Sequence, residues 1–270
     1  MPACPHLSHR RLALGALVLF LPACEPGTPV GSSTPNTELP AAMTPSVAAP
    51  AATSPRASAK PDSSRSSANA APDKTGVLRV ELGDVGIQTE PCTLSEISPT
   101  VSQCTEETHL LFTHGGAEHS LLFTSIFLDS AATLYRGPLD DAYKQNGHSF
   151  IVTDVDGDGH EDLIVWTGRE GAYGGPSYDV LLFDPSDRQF YGAPAFSELT
   201  VGANGLFSVE GGFLKLSSSD GCCTRVFDTY AIEQREPVLV ERVTEERDEK
   251  TAKLNTRTER LVDGKMQEVK

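Results

Sequence analysis

Four aspartates within nine residues constrain this chain more than any other feature. They stand at positions 1, 3, 5 and 9 of a loop, as Asp154, Asp156, Asp158 and Asp162. Carboxylates this close repel one another, and an oxygen-coordinated hard cation removes that repulsion. Gly159, at position 6, permits the bend that such a loop needs. The backbone carbonyl of His160, at position 7, adds a ligand, and the spacing therefore predicts a Ca²⁺ site.

The segments beside the loop predict strands. An EF-hand has a bidentate Glu at position 12 and an exiting helix, but position 12 here is Val165, inside the apolar run Leu163–Thr167. Upstream, Phe150–Thr153 is also apolar and β-branched. The alternative is an acidic surface turn without metal, because Asp and Gly are ordinary turn residues. We favour a strand–Ca²⁺ loop–strand element.

Short strand signals separated by turns recur along the rest of the chain, and long helical periodicity is absent. One short helical turn is expected near Leu94–Ile97. The metal loop occurs once, which argues against a propeller built from repeated loops. The pattern predicts an all-β fold, an antiparallel sandwich or meander.

Residues 1–24 are predicted to be a lipoprotein signal peptide. Arg10 and Arg11 precede the ten-residue apolar run Leu12–Leu21, which is too short to span a bilayer as a helix. The sequence Leu21–Pro22–Ala23–Cys24 is similar to a lipobox, with Cys24 as the lipidation site. An ordinary secretory signal is the alternative, and both export the chain. Glu25 after the cysteine favours the outer membrane, with the domain facing the periplasm.

Residues 25–75 are predicted to be a disordered linker, because they hold nine prolines and no aromatic residue. The folded domain is assigned to residues 76–270. Removing the six Lys/Arg and four Asp/Glu of residues 1–75 from the totals leaves 16 basic and 33 acidic residues, a formal charge of −17. This charge argues against nucleic acid and against membrane contact other than through the lipid anchor, and it favours a basic partner.

Four cysteines remain after the leader and the lipid site, and an exported chain is expected to use them in disulfides. They are Cys92, Cys104, Cys222 and Cys223. Three connectivities are open. Pairing Cys92 with Cys104 is the simplest, and it leaves Cys222 and Cys223 as a strained vicinal pair. A zinc site is the alternative, although no Cys-x-x-Cys spacing is present.

The sequence contains no motif of a known catalytic centre, so we do not expect an enzyme. It lacks a Gly-x-Ser-x-Gly elbow, a His-Glu-x-x-His motif and a phosphate-binding glycine loop. His114 and His119 can face each other across a predicted hairpin, with His109 further along, and bind a transition metal. A solvated turn is the simpler interpretation.

The segments around the loop resemble a known family. The loop itself is similar to FG-GAP and integrin-type calcium loops. Downstream, the segments Gly171–Tyr178, Val180–Asp184, Ser217–Thr224 and Pro237–Val240 follow in an order that resembles exported bacterial calcium-binding proteins akin to the i-type lysozyme inhibitors. Some of these act as immunity proteins against peptidoglycan-cleaving effectors delivered by type IV secretion. The resemblance covers about residues 145–243.

The resemblance implies a hydrolase inhibitor that inserts a loop into a glycosidase cleft. Tyr173 is the candidate inhibitory side chain, because a tyrosine ring is rigid and has a polar tip, and Ser177 is the second candidate partner-binding residue. The implied partner is a basic peptidoglycan hydrolase, which an acidic domain would attract. The alternative is a Ca²⁺-stabilised surface adhesion or scaffold module without inhibitory activity.

Overall fold

The computed structural model describes residues 65–140, 147–170 and 174–269. The predicted leader, the lipidation site Cys24, most of the predicted linker and Tyr173 lie outside these ranges. Within them, no helix has both the length and the apolar character that crossing a membrane requires.

The described residues form nineteen strands and one short helix, which confirms the all-β fold class. The first nine strands are β1 Ser66–Ala68, β2 Arg79–Leu82, β3 Val85–Thr89, β4 Leu94–Glu96, β5 Val101–Cys104, β6 Thr108–His114, β7 Ala117–Phe123, β8 Ile126–Asp129 and β9 Leu134–Arg136. The next four are β10 Phe150–Thr153, β11 Asp162–Glu170, β12 Gly175–Asp184 and β13 Gln189–Gly192. After helix α1 (Pro194–Thr200) come β14 Ser208–Glu210, β15 Phe213–Asp220, β16 Thr224–Glu233, β17 Glu236–Arg247, β18 Leu254–Val262 and β19 Lys265–Val269.

A central six-stranded sheet, in the order β1-β9-β10-β11-β12-β13, carries the metal loop between β10 and β11. Its pairs are antiparallel except β9 with β10, which run parallel. The other sheets have the orders β14-β15-β16-β17-β18-β19, β2-β3-β6-β7 and β4-β5-β8.

The central sheet is buried on both faces, which explains the continuous apolar runs of β10 and β11. Successive side chains of a strand point to opposite faces. Phe150 and Val165 pack into a core with the sheet β2-β3-β6-β7, where Phe112 is fully buried. Ile151 and Trp166 pack into the second core, together with α1 and β15. The two strands that flank the loop are therefore packed against a core on each face of the sheet.

One local prediction was wrong, one helix was missed, and the segment predicted as a linker contains a strand. The segment predicted as a helical turn at Leu94–Ile97 contains strand β4, because its backbone pairs with β5. Helix α1 was missed, since seven residues are too few to show a helical period. Strand β1, which pairs with β9, lies inside the segment assigned to the linker, so the ordered chain begins before Gly76.

The disulfide prediction is confirmed for one pair. Cys92 and Cys104 are bonded, with their Cα atoms 5.5 Å apart. Both are buried, and the bond joins the segment before β4 to the end of β5. Cys222 and Cys223 are free thiols, which corrects their assignment as disulfide cysteines.

Candidate metal site and partner surface

The loop between β10 and β11 brings three of the four aspartates together. One carboxylate oxygen each from Asp154, Asp156 and Asp162 lies within 4.8 Å of the other two. Because Ca²⁺–oxygen distances are about 2.3–2.6 Å, two ligands of one ion are at most about 5 Å apart. The three oxygens therefore fit around a single Ca²⁺, and the donor set is the hard, all-oxygen type that this ion prefers.

Backbone hydrogen bonds hold the loop in this shape. The carboxylate of Asp154 accepts from the N–H of Gly157 at 2.8 Å and of Gly159 at 3.0 Å. Both glycines have positive φ, +78° and +90°, a conformation that favours a residue without a side chain. The bend predicted at Gly159 is therefore present, and Gly157 adds a second one.

Asp162 joins the loop to the central sheet. It is fully buried, and its two oxygens accept from Val155 N at 2.7 Å and from Phe183 N at 2.8 Å. Burial raises the pKa of Asp162 to about 7, the nearby carboxylates act in the same direction, and the two backbone donors oppose them. Such a carboxylate is costly to keep charged without a compensating cation.

An arginine that the sequence did not indicate contacts the loop. Arg235, in the turn between β16 and β17, donates from Nε to Asp156 Oδ2 at 2.6 Å and from Nη2 to the carbonyl of Phe183 at 2.7 Å. Its Nη2 is also 3.8 Å from Asp158 Oδ2. The side chain of Asp156 is fully buried under this contact. Arg235 therefore supplies part of the positive charge that the loop attracts.

The remaining predicted ligands lie at the outer side of the loop. Asp158 and His160 are exposed. Asp158 accepts from the backbone N–H of His160 at 2.8 Å, and the His160 ring packs 5.8 Å from the ring of Phe183. Their roles as ligands stay predictions, with Asp158 offering its side chain and His160 its carbonyl.

The histidines of the β6–β7 hairpin do not converge on a metal site. His114 Nε2 lies 2.8 Å from Glu161 Oε2, and His109 Nδ1 lies 3.1 Å from Ser120 Oγ. His119 is buried against Phe190, with ring centroids 5.0 Å apart. The transition-metal alternative is therefore not supported at this hairpin.

A cleft of about 630 Å³ lies at the other end of β11 from the metal loop. Glu170, Asp179 and Glu198 are its charged lining residues, and among the residues that the structure describes no Lys or Arg lines it. Burial and the neighbouring Glu170 raise the pKa of Asp179, while a hydrogen bond with Thr167 lowers it. The exposed apolar residues Leu122 and Val201 complete a surface that is both acidic and apolar.

The connection between β11 and β12 consists of residues 171–174, and Glu170 before it and Ser177 after it line this cleft. Glu170 and Gly175 pair across the two strands, and Arg169 Nε donates to the carbonyl of Gly174 at 3.2 Å. Tyr173 itself lies outside the described residues. Ser177 is 6% exposed and lies against Gly168 in the strand pair. Ser177 also lines the cleft, so its assignment to the partner interface stays a prediction.

One solved structure shares both sequence and fold with this chain. It is described as the structure of a Xanthomonas type IV secretion system related protein. The two chains are 43% identical, the TM-score is 0.72, and the match covers 77% of this chain and 99% of the other. The chain belongs to the family of this Xanthomonas protein. No protein-family model and no curated protein matches it.

In this member of the type IV secretion system related family, a charged network fastens the metal loop to neighbouring elements. Glu161, next to the predicted ligand Asp162, accepts from Arg136 Nε at 2.7 Å and from Nη2 at 2.6 Å, and it contacts His114. Arg136 also donates to Asp84 at 2.5 Å. Burial alone would raise the pKa of Glu161. The hydrogen bonds of Glu161 with His114 and Arg136 outweigh this effect and lower its pKa to about 2. The network links the loop to β6 and β9.

Replacing Glu161 by Gln is expected to destabilise the fold by about 2 kcal/mol, because hydrogen bonds to charged groups contribute about 1.5–3 kcal/mol. Urea unfolding followed by circular dichroism measures the change. Glu118→Gln, at an exposed position of β7, is the matched control and should change stability by less than about 0.5 kcal/mol. Equal effects of both substitutions would show that the network contributes nothing specific.

Proposed function

We propose that this chain is a lipid-anchored envelope protein that binds Ca²⁺ and inhibits a peptidoglycan hydrolase. The main observation behind the proposal is that this chain is 43% identical to a type IV secretion system related protein, in a match that covers 99% of that protein's chain. A secretion system that crosses the envelope needs peptidoglycan hydrolysis to be controlled. Two sites on the central sheet, the loop between β10 and β11 and the acidic cleft at the other end of β11, suit a protein with that role.

Ca²⁺ would be held by Asp154, Asp156 and Asp162, with Asp158 and the His160 carbonyl completing the set. This assignment is supported by the convergence of three carboxylates, one of which is fully buried. Hydrogen bonds from backbone N–H groups of the loop to Asp154 stabilise its shape. The bound ion supplies positive charge and fixes the connection between β10 and β11. We assign it a structural role.

The partner would meet the opposite end of β11. The metal loop precedes β11 and residues 171–173 follow it, and a nine-residue strand separates its ends by roughly 26 Å. A Ca²⁺ ion bound before β11 is therefore too far away to contact a partner that docks at the end of β11. The acidic cleft, lined by Glu170 at the end of β11, would suit the basic surface of a hydrolase, and a tyrosine such as Tyr173 would suit insertion between catalytic carboxylates.

The proposal is tested by a lysis assay with a panel of purified peptidoglycan hydrolases, including any encoded beside this gene. The chain, with Ca²⁺, should slow lysis by at least one hydrolase and should not release peptidoglycan fragments by itself. A chain that leaves every hydrolase unaffected yet still binds Ca²⁺ would favour the adhesion or scaffold alternative. Release of fragments by the chain alone would make it a hydrolase and would contradict the proposal.

Replacing Arg235 by Gln is expected to strengthen Ca²⁺ binding roughly fivefold. The guanidinium contacts Asp156 Oδ2, an oxygen of a predicted ligand. Because this arginine is partly exposed, its removal should make the free energy of Ca²⁺ binding more favourable by about 1 kcal/mol. Calorimetric titration with Ca²⁺ measures the affinity. Arg257→Gln, an exposed arginine on β18, is the control and should leave the affinity unchanged. An unchanged affinity in Arg235→Gln would mean that the arginine and the ion do not compete.

A further inference from the structure

A second cluster of side chains that can bind a metal lies in two turns at one end of the sheet β14-β15-β16-β17-β18-β19. The Sγ atoms of Cys222 and Cys223 and a carboxylate oxygen of Glu249 all lie within 4.8 Å of one another. Cys223 Sγ is 3.9 Å from Glu249 Oε1. The cysteines belong to the turn between β15 and β16, and Glu249 belongs to the turn between β17 and β18. Arg235, which contacts the calcium loop, is at the other end of β16, so the two clusters are separate.

The two turns are already held together by backbone contacts. Arg247 N donates to the carbonyl of Cys223 at 2.8 Å. In the turn that carries Glu249, the carboxylate of Asp248 accepts from the N–H of Lys250 at 3.0 Å and of Thr251 at 2.7 Å. Because these bonds order both turns, bringing the three ligands onto one ion costs little additional conformational entropy.

Both thiols are available as ligands. Cys92 and Cys104 are bonded to each other, so they do not compete for Cys222 or Cys223. The Cα atoms of adjacent residues across a trans peptide are about 3.8 Å apart, below the roughly 4.4–6.8 Å usual for disulfides, and the described residues contain no cis peptide. A disulfide between Cys222 and Cys223 is therefore disfavoured by geometry.

The ligand chemistry differs from that of the calcium loop. Two sulfurs and one carboxylate oxygen suit a soft or borderline ion such as Zn²⁺, whereas Ca²⁺ prefers oxygen alone. The hydrogen bond with Cys222, burial and the nearby Glu249 raise the pKa of Cys223 to about 11, so metal binding would have to release protons. A cavity of about 300 Å³ is lined by both cysteines together with Arg225, Glu245, Arg247 and Leu254.

We propose that Cys222, Cys223 and Glu249 form a binding site for a thiophilic divalent cation of the Zn²⁺ type, with the fourth coordination position open to water. The ion ties the β15–β16 turn to the β17–β18 turn. This site is independent of the calcium loop and of the proposed inhibition.

The test is a titration of the reduced, metal-free full chain with Co²⁺, whose bonds to thiolates give charge-transfer absorption in the near ultraviolet. We expect the absorption to saturate at one Co²⁺ per chain, to disappear on addition of Zn²⁺ and to persist in excess Ca²⁺. Glu249→Gln should weaken Co²⁺ binding at least tenfold, because one ligand is lost.

The Cys222→Ser/Cys223→Ser double variant should lose the absorption altogether. Serine is close in size to cysteine and Cys222 is exposed, so the variant should keep the wild-type circular dichroism spectrum. Absorption that survives in the double variant would come from other cysteines, such as Cys4 or Cys24, and would overturn the proposal. Absence of the absorption in the wild type, or its full strength in Glu249→Gln, would overturn it as well.

Discussion

Replacing Tyr173 by Ala is expected to weaken binding to the target hydrolase by roughly 30- to 1000-fold. A central aromatic anchor of an interface typically contributes about 2–4 kcal/mol. Tyr173 belongs to the four-residue connection 171–174 between two strands, and Glu170, directly before this connection, lines the acidic cleft. Since surface connections contribute little to the core, the variant should unfold within about 0.5 kcal/mol of the wild type. Calorimetric titration gives the affinity, and chemical denaturation gives the stability.

Two control variants separate the anchor from general aromatic effects. Phe213→Ala removes an aromatic ring, 42% exposed, on β15 of the other six-stranded sheet and should leave inhibition unchanged. Tyr173→Phe keeps the ring and removes the hydroxyl group, so it should retain part of the affinity. Full inhibition by Tyr173→Ala would exclude this side chain as the anchor.

Removing Ca²⁺ is expected to lower the melting temperature by roughly 10 °C. At a free Ca²⁺ concentration about a thousand times the dissociation constant, binding stabilises the folded state by about 4 kcal/mol. For a domain of this size, each kcal/mol corresponds to about 2–4 °C. The physical source is the repulsion among the three convergent carboxylates, which the ion relieves. Thermal melts with and without a Ca²⁺ chelator, followed by the fluorescence of the single Trp166, measure the shift.

Asp156→Asn tests whether the loop causes that shift. The substitution keeps the size of the side chain but removes one ligand charge, so the variant should melt at about the same temperature with and without chelator. Asp220→Asn, at an exposed position at the end of β15, should keep the full response. A wild-type melting temperature that does not respond to chelator would refute the calcium assignment.

The stability effect and the inhibition effect should be separable. The metal loop and the Tyr173 connection lie at opposite ends of β11, so Tyr173→Ala should leave the Ca²⁺ affinity unchanged. Conversely, the Ca²⁺-free protein should still inhibit at temperatures well below its own melting transition. A loss of inhibition in the folded, Ca²⁺-free protein would show that the ion contributes to the partner interface directly.

Local signals in the sequence predicted the strand–loop–strand element closely. Strand β10 has the predicted bounds Phe150–Thr153, and β11 contains the predicted Leu163–Thr167. The reason is that glycine bends and apolar β-branched runs depend on neighbouring residues only.

Contacts between distant residues could not be predicted in this way. Arg235 reaches Asp156 from 79 residues away, and His114 reaches Glu161 from 47 residues away. No local pattern marks either side chain, because only the packing of the sheets brings them to the loop. The burial of Ser177 has the same origin, since its backbone pairs opposite Gly168 in the central sheet.

The most direct test is a titration of a responding peptidoglycan hydrolase with the Ca²⁺-bound chain, with the residual lytic rate as the readout. The proposal predicts that lysis falls linearly and reaches zero at one chain per hydrolase, as expected for a tight complex that fills the catalytic cleft. Lytic rates that stay unchanged at a large excess of the chain, across the hydrolases tested, would contradict the central claim.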